Sequence, residues 1–273
     1  MITDHLFFTC INLLLGWSVY VTLLTGNLSF AQGAFMAVGC YAAGWFTVKT
    51  GLPMLPATLI AALIAAAIAV LIGYPALRLR GIYLILATLG LTFCIRVLLE
   101  NLSFVGGIGG FGGMTGGDLP KAALAVVLVG ALLWLVSRSP LQRILDAVRE
   151  DDRVAASLGI NVTAIRLVGF AAGAAIAAVA GMLYGHYMSF VRPENFDVML
   201  SIYAVLYIVL GGVNNLWGAV LGAAIMTLLP EYIRFMADWR PTVFGACVLA
   251  LLLFRPPGLL SFRTVTARAR DRA

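Results

Sequence analysis

Charge is the first thing this chain lacks. Of 273 residues, 18 are Lys or Arg and 12 are Asp or Glu, 11% in all, against about 25% in ordinary globular domains. So few charges cannot clothe a soluble domain of this length. A soluble enzyme, a charge-rich disordered chain and a collagen-like fibre are all excluded.

Lysine is nearly absent. Lys49 and Lys121 are the only two, and neither stands in a G-x-x-x-x-G-K-[ST] context that cradles nucleotide phosphates. Histidine is equally scarce, at two residues. Carboxylates are rare inside the apolar runs, so little equipment exists for carrying a proton or Na⁺ through the membrane. The four cysteines, Cys10, Cys40, Cys94 and Cys247, each sit in an apolar run without a CxxC partner. That pattern is neither a disulfide framework nor a zinc site. No Ser-His-Asp or metal-ligand constellation stands out, so neither catalytic residues nor a bound metal or cofactor are expected.

Apolar residues fill the space: 62% of the chain, with a mean hydropathy of +1.01. Crossing the hydrocarbon takes roughly 20 mostly apolar residues in a helix. Candidate runs occupy 6–24, 30–48, 55–77, 82–99, 122–137, 167–188, 196–213, 215–230 and 241–256. Those at 122–137 and 215–230 are short, and 196–230 reads as one broken helix, a re-entrant pair or two spans. The expected fold is therefore an all-α, polytopic integral membrane protein with eight or nine spanning or re-entrant segments, one transmembrane domain over 1–273. No positive residue precedes the first run, so it is expected to be a retained span rather than a secretory signal.

Arginine sets the orientation. With the N-terminus outside, the inner segments carry Arg78 and Arg80, then Arg138, Arg143, Arg149, Arg153 and Arg166, then Arg255, Arg263, Arg268, Arg270 and Arg272 in or beside a basic tail, 257–273. The outer segments carry Lys49, Lys121, Arg192, Arg234 and Arg240. This bias places the N-terminus out and the C-terminus in. The positive charge is a topology signal facing the lipid bilayer, not a nucleic-acid surface.

Other features have structural and functional readings side by side. Gly169/Gly173, Gly181/Gly185 and Gly218/Gly222 are small residues four apart, suited to close helix contact within the chain or, as the alternative, across a dimer. The run Gly107-Ile108-Gly109-Gly110-Phe111-Gly112 matches G-x-G-x-x-G but has no βαβ unit around it; it reads as a flexible outer loop, a gate, a docking site or a loose connection. Arg96 and Glu100, four apart, make either a structural pair or a substrate-carboxylate contact through Arg96. Within 138–166, Ser139-Pro140-Leu141-Gln142 looks like a capping-box helix start. Leu141, Ile144, Leu145, Val148 and Ala155 then form an apolar stripe ended by Gly159, which makes an inner connector or a docking surface for a soluble partner.

Two segments interrupt apolar helix in a similar way: Gly26 to Ala34 and Gly211 to Ala219 share Gly and Gly-Ala seven residues apart. Paired Gly-broken segments point to a central site where backbone groups are freed. The expected translocation path runs by Ser29, Gln32 and Gly33 in one and Gly211, Gly212 and Asn214 in the other; the alternative is that these glycines serve close packing alone.

Several stretches carry a resemblance. They are Gly26-Asn27-Leu28-Ser29-Phe30-Ala31-Gln32-Gly33-Ala34-Phe35, Pro75-Ala76-Leu77-Arg78-Leu79-Arg80-Gly81-Ile82-Tyr83, the glycine run ending Thr115-Gly116-Gly117, Ala147 to Asp152 with Ala155 to Ile160, and Val209-Leu210-Gly211-Gly212. In these the chain resembles the ABC-importer permeases for branched-chain amino acids, particularly the LivM type. The resemblance implies an inner-membrane permease half paired with a second, LivH-like permease. Two cytoplasmic ATPases using ATP and Mg, and a periplasmic binding protein, would complete the assembly. It also implies that Arg149, Glu150, Asp151, Ala155, Ala156 and Gly159 lie in the loop that fits the ATPase. There the family's Glu-Ala-Ala-x-x-x-Gly pattern is only partly kept: Gly159 fits, but its start reads Arg153-Val154-Ala155. A self-sufficient channel or facilitator for a small neutral solute, such as urea or a short amide, is the alternative.

Overall fold

In the computed structural model of the chain, the described residues are 2–79, 81–213 and 215–232, with single positions at 245 and 249. The run at 241–256 and the basic tail at 257–273 therefore lie essentially outside the described residues, as does Asn214.

The described chain is built of helices: α1 (Ile2–Leu24), α2 (Gln32–Thr50), α3 (Met54–Ala76), α4 (Ile82–Asn101), α5 (Leu119–Arg138), α6 (Pro140–Glu150), α7 (Asp152–Ser157), α8 (Val162–Met188), α9 (Val198–Gly211) and α10 (Leu216–Tyr232). Among the described residues, six segments are long and apolar enough to cross a membrane: Thr3–Leu24, Met54–Ala76, Ile82–Asn101, Leu119–Arg138, Val162–Met188 and Pro193–Gly211. The marginal run at 122–137 gains length at both ends, becoming the 20-residue α5.

α2 is outside that set because its neighbours are protein. Gln32, Gly33, Gly39 and Gly44 on it are all buried, so its sequence needs small and polar residues more than lipid-loving ones. It packs most extensively on α8, which also holds α1 and α3. The contact is backbone on backbone: a Cβ on Gly39 would run into the main chain of Ala178, and one on Gly181 into the carbonyl of Met36. In lipid, where packing rather than water exclusion drives association, such close approach holds helices together. Gly169 and Gly173 likewise meet Thr25 and Ser18 of the α1 region, and Gly185 meets Cys40. The small-residue pairs thus serve contacts within the chain, as read from the sequence.

α3 shows the same logic at a lower packing level. Ala57, Ala61, Ala65, Ala69 and Gly73 recur every fourth residue and are buried, while Leu55, Leu59, Leu63 and Leu71 stay exposed. A narrow alanine seam docks on the bundle, and leucines face outward where lipid satisfies them.

α9 and α10 form an antiparallel hairpin. Gly222 approaches the Tyr207 carbonyl and Gly218 the Gly211–Gly212 backbone. Two bonds fix α10 against α1: Trp17 Nε1 donates to the Leu216 carbonyl at 3.1 Å, and Asn12 Nδ2 to Thr227 Oγ1 at 2.9 Å. The turn between α9 and α10 therefore sits beside Trp17, about two turns before α1 ends. The antiparallel packing shows that 196–230 is not one long helix but two, joined at Gly212.

The glycine-rich stretch is a packed cap, not a loose connection. After single 3₁₀ turns at Ser103–Val105 and Gly107–Gly109, β1 (Phe111–Gly112) pairs antiparallel with β2 (Phe190–Val191). Met114 and Phe111 are buried beneath it. Gly106, Gly107, Gly110, Gly113 and Gly116 all have positive φ, a conformation glycine enters at no steric cost. The G-x-G-x-x-G match reflects these turns.

Candidate functional site

The chain leaves helix after Leu24. Gly26 turns it with φ +79, and residues 27–31 lie outside helix until α2 begins at Gln32. This irregular backbone lies alongside the middle of α4. Such backbone is tolerated at that depth only where other groups satisfy it, and here α4 and α9 do so. The Phe30 N–H donates to Thr88 Oγ1 at 3.1 Å, and Thr92 Oγ1 donates to the Phe30 carbonyl at 3.0 Å. The Gly33 N–H donates to Ser201 Oγ at 2.8 Å, and the Ala31 N–H to Ser29 Oγ at 3.2 Å.

The path residues read from the sequence thus fall into distinct roles. Ser29 is buried, and its hydroxyl is used within the break. Gly33 is a close-packing position, since a Cβ there would lie 2.8 Å from Ser201 Oγ and 3.2 Å from the Asp197 carbonyl. Gln32 differs: it is 1% exposed, and neither its amide nitrogen nor its amide oxygen has a protein partner. Gly211 abuts Gly218, and Gly212, with φ +122, turns the hairpin. The two groups are not side by side. Gly33 meets the start of α9 and Gly211 ends it, about 15 Å further along a helix rising 1.5 Å per residue.

Arg96 is held by carboxylates. Its Nε lies 2.9 Å from Glu100 Oε1 and its Nη1 3.4 Å from Asp197 Oδ1. Asp197 also caps α9 by accepting from the Val198 N–H. The structural pair read from the sequence is present, and its third member ties α4 to the start of α9.

The segment at 138–166 differs in detail from its reading. It is two helices. Asp151 separates them and caps α7, accepting from the Arg153 and Val154 N–H groups at 2.8 and 3.2 Å. Ser139 makes no side-chain cap; its hydroxyl instead donates to the Val136 carbonyl at 2.8 Å. Leu145, Val148 and Ala155 of the apolar stripe are buried against the bundle, whereas Leu141 at its start is exposed. Of the residues assigned to the ATPase contact, Glu150, Asp151, Ala156 and Gly159 are exposed, as are Val154 and Leu158, while Arg149 is half-buried. Gly159, at φ +83, ends the segment as expected.

One juxtaposition joins these parts. A Cβ on Gly26 would lie 3.5 Å from Arg149 Cα and 3.9 Å from the Val148 and Arg149 carbonyl oxygens. The last turn of α6 rests on the glycine that starts the break before α2. Below it, Arg166 Nη2 of α8 lies 3.5 Å from Asp152 Oδ2 of α7. Sequence reasoning missed Thr88, Thr92, Ser201, Asp152 and Arg166. The threonines four apart on α4 were a visible signal; the partner of Ser201 is far away in the chain, and Asp152 and Arg166 meet across the turn between α7 and α8. Among the described residues no group of three His, Cys, Asp or Glu side chains could hold a metal ion.

A helical bundle of this apolarity, with a break between α1 and α2 and a polar two-helix segment seated on it, fits a multi-pass membrane protein. The chain belongs to the family described as the branched-chain amino acid transport system permease component, whose family model matches residues 1–255. It is 32% identical to the high-affinity branched-chain amino acid transport system permease protein LivM of Escherichia coli K12, covering 92% of this chain and 68% of that protein. With LivM of Salmonella typhimurium the identity is 30%, again over 92% and 68% of the two chains. The Autoinducer 2 import system permease protein LsrC of Escherichia coli O157:H7 is 31% identical over 48% of this chain and 41% of its own. No solved structure matches. The chain is a permease subunit of an ABC importer and a multi-pass protein of the inner membrane.

Proposed function

We propose that this chain forms half of the translocation path for branched-chain amino acids. It would work with a second, LivH-like permease, two cytoplasmic ATPases that consume ATP with Mg, and a periplasmic binding protein. The chain itself would bind no cofactor. Its single domain would span 1–273 with eight or nine membrane segments, N-terminus out, and the 138–166 segment and basic tail in.

The observation that carries this reading is the seating of α6 on Gly26. An ATPase docked on Arg149, Glu150, Ala156 and Gly159 would push directly on the break from which α2 starts, while Asp151 and Ala155 hold the segment's shape. Movement of α2 would then open a route past Ser29, Gln32 and Gly33 and along α9 toward Gly211, Gly212 and Asn214. Gln32 offers a buried donor and acceptor on that route, enough for passing contact with a zwitterion and too little to hold it tightly. Arg96, already engaged by Glu100 and Asp197, serves as a clamp rather than as a substrate contact. The self-sufficient channel is disfavoured because the relatives matched over 92% of this chain are permease proteins of transport systems.

The test is uptake. Cells lacking the gene should lose chain-dependent uptake of labelled leucine and regain it on complementation, and ATP depletion should abolish the regained part. A Walker A protein should co-purify with the tagged chain. Leucine flux that persists without ATP would overturn the reading.

Orientation has its own check. Thr115 and Asp146 are both exposed. A Thr115→Cys variant should react with a membrane-impermeant maleimide in intact cells, and Asp146→Cys only after lysis. The opposite pattern would invert the topology.

A further inference from the structure

Where α7 meets the break, a cavity of about 280 Å³ opens between the segment at 26–28, the start of α4, α7 and α8. One part of its wall is polar: Asn27, Asp152 and Arg166. The other is apolar: Leu28, Leu79, Leu84 and Ile85. Asn27 is 8% exposed. Its Nδ2 and the Nε of Arg166 are buried donors without an acceptor in the protein. Such donors are costly to leave unmade, and two of them in the wall of one cavity call for a ligand that brings acceptor oxygens.

The rest of the wall narrows the class. Asp152, 3.5 Å from Arg166 through Oδ2, is a carboxylate and can accept several bonds at once. A simple anion would meet its repulsion, and a simple cation would meet that of Arg166. A zwitterion satisfies both. The leucine and isoleucine side chains opposite suit a branched apolar group. We infer that this cavity binds a free α-amino acid with a branched apolar side chain. Its carboxylate would sit toward Asn27 and Arg166, its ammonium toward Asp152, and its side chain against Leu28, Leu79, Leu84 and Ile85. The inference rests on the proposed import of such amino acids and assigns them a second, inner site. Asp152 belongs to α7 and Asn27 to the break, so a bound molecule bridges the two elements whose relative movement would drive transport. Accumulated product would hold them together and slow further import.

The experiment uses the purified full chain in nanodiscs, without binding protein or ATPase, and saturable binding of radiolabelled L-leucine. Leucinamide lacks the carboxylate and 4-methylpentanoate lacks the ammonium. Each should compete at least about tenfold less well than leucine, since each forfeits a charge-assisted contact. Asn27→Asp is isosteric and places a carboxylate where the ligand's would sit. It should weaken leucine by roughly tenfold or more while improving leucinamide relative to leucine, a reversal that a merely structural role would not produce. Ile85→Phe, which fills the cavity without touching a charge, should weaken all ligands at an unchanged melting temperature. Absence of saturable leucine binding, or equal leucine binding by the parent and both variants, overturns the inference. Cellular uptake separates the two readings. Chain-dependent leucine import with no binding to the purified chain removes the inner site alone. Binding that responds to the variants as described, in a chain that supports no import, keeps the site and removes the import reading.

Discussion

Replacing Gly181 with leucine is expected to remove most of the protein from the membrane. Gly181 faces the carbonyl of Met36, and the reciprocal Gly39 faces the main chain of Ala178. Neither neighbour is the end of a flexible side chain, so a new Cβ cannot be accommodated by a rotamer change. The helices must separate. α2 and α8 are the most extensively packed pair among the described helices, and separating them uncovers Met36, Cys40, Ala177 and Ala178, all now buried. Overpacking in a yielding core costs about 1–3 kcal/mol. A backbone contact at the central crossing should exceed that range, a large part of the 5–15 kcal/mol that holds a typical domain. Gly90 is the control. Nothing lies within 4 Å of a Cβ built there, and Gly90→Ala should leave membrane levels unchanged. Quantitative immunoblotting of membrane fractions, with thermal melting in detergent, makes the comparison. Gly181→Leu accumulating and melting like the parent would show that α2 and α8 do not depend on this approach.

The same crossing shows where the sequence is legible. Gly181/Gly185 and Gly169/Gly173 announce close contact by spacing, because four residues return to the same face of a helix. The spacing does not say which helix answers, and α2, whose main chain meets Gly181, is less apolar than the other long helices. A helix surrounded by protein needs no lipid-facing leucines, so hydropathy underrates the most central element. The run at 30–48 also concealed that helix begins only at Gln32, after an extended stretch. Gly26 and Asn27 signalled the interruption, but its extent depends on Thr88, Thr92 and Ser201, whose contacts cross between distant parts of the chain.

Local rules fared unevenly on 138–166. Gly159 terminates the helix where a left-handed residue was expected. The capping box at Ser139 does not form, because the preceding α5 runs to Arg138 and its Val136 carbonyl takes the hydroxyl instead. Asp151, not marked by any apolar periodicity, proved to be the cap that divides the segment. The apolar stripe was visible, and its destination was not. Periodicity shows that Leu145 and Val148 need cover; whether the bundle or a partner supplies it is decided by tertiary packing. For the glycine run, β1 needs Phe190 and Val191 from the far end of α8, so composition alone reads as looseness.

Replacing Gly26 with valine is expected to uncouple transport without unfolding the chain. Gly26 has φ +79, a region that costs a residue with a Cβ about 1–2 kcal/mol and a β-branched one more. A Cβ alone would sit in ordinary contact, 3.5 Å from Arg149 Cα. The two methyls of valine reach beyond it toward the carbonyls of Val148 and Arg149. Either the end of α6 lifts from the break, or the break bends away from α6. Neither disturbs the α2–α8 crossing, so membrane levels should stay close to the parent's. Uptake should fall by roughly tenfold or more, equivalent to about 1.4 kcal/mol lost from the transport step, while ATP hydrolysis by the assembled complex continues. Gly26→Ala, which meets only the backbone strain, should retain much of its uptake. Ala156→Trp supplies the matching test from the partner's side. Ala156 is exposed on α7, so a tryptophan there burdens nothing inside this chain and would obstruct only a docked subunit. It should lower both uptake and ATPase association. If Gly26→Val imports leucine at the parental rate, the seating of α6 on the break transmits nothing, and another contact must carry the coupling.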